Sequence, residues 1–126
     1  MYTDLLAKIK NAELARKESI TTPFSKMDFA IAKALAQANY LKDVQKRTIG
    51  HKMFIDIKLV YRGGKPGITD FKIMSKPSRR LYVGYRDLRR IKQGYGLAVL
   101  STPKGISVNT DARKAKVGGE YLFEVW

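Results

Sequence analysis

The residues with the most concentrated chemistry stand in one short run, Ser101-Thr102-Pro103-Lys104-Gly105. Two hydroxyls, an ammonium and a glycine interrupt an apolar stretch there. Hydroxyls that both donate and accept suit ribose 2′-OH groups and base edges, an ammonium meets a phosphate, and glycine lets the backbone come close. The same run would also make a plain hairpin turn, and its chemistry alone leaves both readings open. A second group lies upstream, where Arg79-Arg80 and Arg89-Arg90 flank Tyr82 and Tyr85. Paired guanidiniums near turns with tyrosines between them fit a surface that holds phosphates and stacks bases.

Catalytic constellations are missing. The only histidine, His51, lies between Gly50 and Lys52 and reads as a solvated turn residue. The 11 carboxylates fall mostly at helix starts or outer strand positions, with no metal-ligand spacing. With no cysteine there is neither a thiolate zinc site nor a disulfide framework, and a reducing compartment is the simplest reading. Gly63-Gly64-Lys65-Pro66-Gly67 is glycine-rich but lacks the order of a phosphate-binding P-loop, so it reads as a hairpin turn. No enzyme, metal or cofactor is expected.

Charge points to the partner. The 126 residues carry 25 Lys plus Arg against 11 Asp plus Glu, a net +14, which favours a polyanion. The excess is uneven: net +2 over residues 1–41, +11 over 42–92 and +1 over 93–126. No apolar run approaches the ~18 residues of a membrane span, and the first residues lack the unbroken apolar stretch of a signal peptide. Aromatic residues at 10% argue against a disordered basic tail.

These groups need elements to position them. Residues 3–12 read as an amphipathic helix capped by Thr3, and 19–22 as a short strand ending at Pro23. A second helix starts at Ser25, with Asp28 completing a short capping box, Phe24 and Phe29 as the staple, and Asn39 as a left-handed stop. Residues 40–49 and 52–61 read as strands, the second alternating strictly. Arg62 to Lys65 turns the chain, and Ile68 to Met74 is expected to return along it. Leu81 to Tyr85 reads as a strand, Arg86 to Lys92 as a helical turn broken at Gly94-Tyr95-Gly96, and Leu97 to Leu100 and Ile106 to Val108 as extended. Thr110 is expected to cap a short helix ended by Gly118-Gly119, before a last strand from Tyr121 to Val125. The fold class is α+β, with an α+β unit over residues 1–74 and a smaller, mostly β unit with a short helix over 75–126.

Several motifs together resemble the small-subunit ribosomal protein eight family. They are Leu100-Ser101-Thr102-Pro103-Lys104-Gly105-Ile106, then Thr110-Asp111-Ala112-Arg113 and Val117-Gly118-Gly119-Glu120. Asp4 to Asn11 is similar to the family's opening helix, and Pro23 with Ser25-Lys26 to its second. Ser75-Lys76-Pro77 and Arg80-Leu81-Tyr82 are similar to the basic loop and strand between its halves, and Gly94 to Leu100 to the lead-in of its C-terminal motif. The likeness covers essentially the whole chain.

The resemblance implies a protein that binds the central domain of small-subunit rRNA early in assembly, reading an irregular helix mainly with its C-terminal half. Carried over by motif, the contacts are Ser101, Thr102, Lys104 and Gly105, with Tyr82 and Glu120 on the same surface. Ser75, Lys76, Arg79 and Arg80 belong to the basic loop. Lys8, Asn11 and Lys26 touch neighbouring RNA. Pro103 stands where many members have Ser, which removes a hydroxyl and an N–H from the loop. Ser78 and Arg79 stand where a Gly and an apolar residue are common, making that loop more basic. Some bacterial members also repress their own messenger. The expected partners are rRNA and neighbouring small-subunit proteins, with no membrane. The expected state is a free monomer and the expected place the cytoplasmic ribosome. The competing reading is a general basic RNA- or DNA-binding protein that uses charge without reading shape.

Overall fold

A computed structural model describes residues 2–76, 78–84 and 96–126. The chain forms two compact units that divide between Thr69 and Asp70, where the sequence suggested a division at Ser75.

In the first unit, helix α1 (Tyr2–Leu14) buries Leu5, Leu6, Ile9 and Ala12, the expected apolar stripe. Thr3 lies inside this helix. It does not cap it, because a helical residue lacks the extended backbone that a cap needs. Strand β1 (Ser19–Pro23) follows, then α2 (Lys26–Gln37). Ser25 caps α2 in extended conformation, its Oγ accepting from the Asp28 N–H at 3.4 Å, and the Phe24 and Phe29 rings meet at 5.6 Å as the staple requires. Asn39, at φ 69°, ends the helix in a Schellman turn, with Tyr40 N–H donating to Leu35 C=O and Asn39 N–H to Ala36 C=O.

Strands β2 (Asp43–Ile49) and β3 (Lys52–Lys58) form an antiparallel hairpin about Gly50-His51, and the sheet order is β1-β3-β2. Ile55, Ile57, Val44 and Thr22 are buried, and α1 and α2 pack against β1 and β2. On the outer face Arg47 pairs with Asp56 at 3.1 Å, and Thr21 donates to the same carboxylate at 2.9 Å.

The turn at Gly63-Gly64 forms, but it joins only two-residue strands, β4 (Tyr61–Arg62) and β5 (Lys65–Pro66). The expected return of Ile68–Met74 along residues 52–61 does not occur. Strand β3 is central and both its edges are already occupied by β1 and β2. Strand β6 (Phe71–Ile73) pairs instead with the final strand of the second unit, β10 (Gly119–Val125).

The second unit centres on β10. Beside β6 it pairs with β7 (Tyr82–Val83) and β8 (Leu97–Thr102), and β8 pairs with β9 (Gly105–Val108). Its core holds Leu97 to Leu100, Leu122, Phe123 and Val125, with Ala112 of helix α3 (Asn109–Lys114) packed on Ala98 and Leu100. Thr110 does not cap α3. The helix starts a residue earlier, and the buried Asn109 Oδ1 accepts from Ala98 N–H at 3.3 Å, tying the first turn to β8. The expected turn at Arg86–Lys92, the expected break at Gly94-Tyr95, and Tyr85, Arg89 and Arg90 lie outside the described residues.

Candidate nucleic-acid interface

Strands β8 and β9 form a tight hairpin in which Thr102 pairs with Gly105, leaving Pro103-Lys104 as the turn. Proline suits this place because its fixed φ favours a turn and the ladder needs no N–H there. Gly105 sits at φ 111°, a conformation that L side chains rarely adopt. Thr102 is only 9% exposed. Its hydroxyl donates to the Gly105 carbonyl at 2.8 Å and accepts from the Lys104 N–H at 3.2 Å. Thr102 therefore holds the turn in shape from inside. Pro103, Lys104 and Gly105 are exposed, and Ser101 is half-buried.

The register of β10 assembles the rest. Glu120 lies opposite Ser101 of β8 on one side and opposite Tyr82 of β7 on the other. Directly opposed residues of antiparallel strands share a face, so Tyr82, Glu120 and Ser101 form one cross-strand row. Tyr82 is 65% exposed, a large aromatic surface open for stacking. The buried Ser75 hydroxyl donates to Glu120 Oε2 in a short hydrogen bond and accepts from the Leu81 N–H at 3.3 Å. One serine thus fixes the carboxylate and the entry to β7 together.

This row depends on a close backbone approach. A Cβ on Gly119 would collide with the Ser101 carbonyl, and one on Gly118 with the Val83 carbonyl. The glycine pair that reads as a helix stop in the sequence is a packing device. The helix is closed before the glycines by the left-handed Lys116, φ 56°, with Val117 N–H donating to Ala112 C=O. Behind the row, burial and a hydrogen bond to Glu124 push the Tyr121 hydroxyl well above the ordinary phenol range.

Lys76 and Arg79 exchange both backbone hydrogen bonds at 3.0 Å, which closes the basic loop on itself and leaves Lys76, Arg79 and Arg80 exposed. Ser75, Tyr82, Glu120 and Ser101 are thus brought together, with Thr102 beneath the adjoining turn.

In the first unit, Lys8 and Asn11 line a groove of about 500 Å³ between α1 and β1. Lys26 starts α2, exposed and outside the lining of that groove. The groove itself escaped the sequence reading, as did the part its other polar residues, Lys17, Ser19, Thr21 and Thr22, play in lining it. A signal was present in the 8, 11, 12, 15 spacing of Lys8, Asn11, Ala12 and Ala15, a helical stripe of polar then small residues. Glu13 escaped as well. It is 4% exposed, its Oε2 accepts from Ile68 N–H at 3.3 Å, and burial pushes its carboxyl up to about 7. Among the described residues no cluster of His, Asp or Glu could hold a metal, and no helix is long and apolar enough to cross a membrane.

Comparison with known proteins gives a single family. The family model described as ribosomal protein S8 matches residues 1–126. The small ribosomal subunit protein uS8 of Zymomonas mobilis is 39% identical, covering 98% of this chain and 94% of its own length. That of Nitratidesulfovibrio vulgaris is 42% identical with the same coverage, and that of Dechloromonas aromatica 42% identical over 94% of this chain and 91% of its own length.

Proposed function

The chain belongs to the ribosomal protein S8 family, and on that premise we propose that it binds the central domain of small-subunit rRNA directly and fixes an irregular helix during subunit assembly. As a member of that family it is a structural protein of the small ribosomal subunit and not an enzyme. The observation that carries the finer reading is the Tyr82–Glu120–Ser101 row beside a turn held by Thr102. Its polar groups are fixed before any ligand arrives, so they favour one local RNA shape over another. Lys104, Lys76, Arg79 and Arg80 supply phosphate contacts around it, and Gly105 leaves room for a close approach. Pro103 offers the turn tip an apolar surface in place of a hydroxyl. Lys8, Asn11 and Lys26 reach neighbouring RNA from the first unit. In this reading the free protein is a monomer, and it works in the cytoplasmic ribosome beside other small-subunit proteins.

The test compares an irregular rRNA helix with a regular duplex of equal length. Wild type is expected to prefer the irregular helix. Ser101→Ala should narrow that preference. Lys104→Ala should weaken both RNAs and lower the salt slope by about 0.9, as for one lost phosphate contact. Equal binding of the two helices by wild type overturns the reading. Equal binding of RNA and DNA, falling alike with salt, would make this a binder of charge alone.

A further inference from the structure

We propose that the first unit carries a docking pocket for a protein partner, which enters it with an extended segment of alternating acidic and apolar residues. The pocket is a cavity of about 510 Å³ at the end of the three-stranded sheet, where Ser19 of β1 pairs with Lys58 of β3. That volume lies in the range of ~300–1,000 Å³ in which proteins hold ligands. The wall is mixed. Leu59, Val60 and Tyr61 give an apolar run where the chain leaves β3, and Lys42 and Lys58 bring two ammonium groups. Backbone hydrogen bonds set the frame: Lys42 N–H donates to Lys58 C=O at 2.9 Å, Leu59 N–H to Glu18 C=O at 2.8 Å and Gly67 N–H to Val60 C=O at 2.9 Å. A Cβ on Gly67 would strike the Tyr40 carbonyl and the Val60 side chain, so Val60 is packed tightly from behind.

Charge and apolar surface together select the occupant. Among the described residues neither Lys42 nor Lys58 makes an ion pair. Asp43, opposite Lys58 in the ladder, has its oxygens engaged elsewhere: Oδ1 accepts from Val44 N–H at 2.9 Å and Oδ2 from the Gln45 amide at 3.0 Å. Glu18 is the one carboxylate in the lining, so the two lysines leave a positive excess that suits an acidic partner. A nucleic-acid backbone would meet the ammonium groups but leave the apolar run against water. Stacking of a base is hindered too, because the Arg16 guanidinium already lies over the Tyr61 ring, 5.5 Å from its centre. The Tyr61 hydroxyl donates to the Lys17 carbonyl at 2.7 Å, so Tyr61 meets the cavity as an apolar group. A protein segment matches both parts of the wall. Successive side chains of an extended chain point to opposite sides, so apolar residues at every second position cover Val60 and Tyr61 while the carboxylates between them turn to Lys42 and Lys58.

The probes are two fluorescein-labelled hexapeptides of equal charge, one alternating Asp and Leu and one alternating Asp and Ser, titrated with the full-length protein and read by anisotropy. Wild type is expected to bind the Asp-Leu peptide about tenfold more tightly than the Asp-Ser peptide, for the apolar surface covered. Lys42 and Lys58 are exposed, so Lys42→Gln/Lys58→Gln should keep its melting temperature and bind the Asp-Leu peptide about fivefold more weakly. Glu18→Gln should change affinity the other way, tightening it about twofold. Binding of the irregular rRNA helix by these variants should stay within about twofold of wild type. Equal binding of the two peptides by wild type overturns the pocket without any variant having to fold. So does unchanged peptide binding by the double lysine variant, or displacement of the Asp-Leu peptide by an equal concentration of oligouridylate, which would make the cavity a nucleic-acid surface.

Discussion

The two units handle polar groups in opposite ways. In the second unit the hydroxyls and carboxylate of the interface are bound to one another: Ser75 to Glu120 and Leu81, Thr102 to Gly105 and Lys104. In the first unit the groove lysines stand without ion pairs among the described residues, and the buried carboxylate of Glu13 has one oxygen, Oε1, without a hydrogen-bond partner among them. Fixed dipoles discriminate shape because they cannot rearrange to suit a wrong ligand, while flexible ammonium groups accept any phosphate. The two units carry equal net charge, +7 over residues 1–69 and +7 over 70–126, so they differ in how their polar groups are held and not in how much charge they have.

The harshest test of this contrast is Gly119→Ala. The new methyl group meets the Ser101 carbonyl, which belongs to a paired strand and cannot step aside. A loss of ~3 kcal/mol is expected, read as a lower urea midpoint. Discrimination between irregular and regular RNA should vanish with it, while salt-sensitive binding through the lysines persists. Retained discrimination would show that the row is not the reading surface.

Thr102→Val comes next. It keeps the shape but leaves the Gly105 carbonyl and the Lys104 N–H without their partner, a cost of about 1–3 kcal/mol. RNA preference should narrow with no change in salt slope, since no phosphate contact is removed. Thr102→Ser should restore both. A lowered slope would mean that the loop works by charge after all.

Much of this was legible in the sequence because it rests on local signals. The α2 cap, its staple and its Asn39 stop depend on neighbouring residues, and the alternation of β3 reports its burial directly. The partner of Ile68–Met74 was not legible, since strand pairing is settled by which edges remain free and no residue of that segment encodes that. The site divides in the same way. The loop was visible as a run of hydroxyls, but the inward direction of Thr102 follows from hairpin geometry. The row of Tyr82, Glu120 and Ser101 joins residues far apart in the chain through the β10 register. The groove stayed hidden because its polar residues come from three places: α1, the segment after it, and β1.

The half-satisfied carboxylate of the first unit gives a pH signature near neutrality. Glu13 has its carboxyl raised from 4.5 to about 7 by burial, which outweighs the opposing hydrogen bond from Ile68. The folded state therefore holds a proton there that the unfolded chain has released, between pH 4.5 and 7. The associated stability is fully present below pH 4.5 and lost as pH rises through 7. Glu13→Gln should flatten this slope and stabilise the protein above pH 7 by ~2 kcal/mol, measured by urea unfolding across that range. An unchanged slope would place the proton elsewhere.

The smallest expected effect separates the units by their helix ends. Arg16 and Lys116 hold left-handed positions, φ 57° and 56°, that glycine occupies more easily. Each closes the same pair of hydrogen bonds, from Lys17 to Ala12 and Arg16 to Glu13 in one unit, and from Val117 to Ala112 and Lys116 to Arg113 in the other. The exposed side chain of Lys116 has no aromatic partner among the described residues, so Lys116→Gly should stabilise by ~0.5–1 kcal/mol. The Arg16 guanidinium lies 5.5 Å from the centre of the Tyr61 ring, whose hydroxyl donates to the Lys17 carbonyl at 2.7 Å. That contact is worth ~0.5–1 kcal/mol, so Arg16→Gly should leave the urea midpoint nearly unchanged. Equal gains at both positions would mean that Arg16 contributes only backbone strain. A gain at Lys116 alone would show that the first unit accepts that strain in order to hold an arginine over Tyr61.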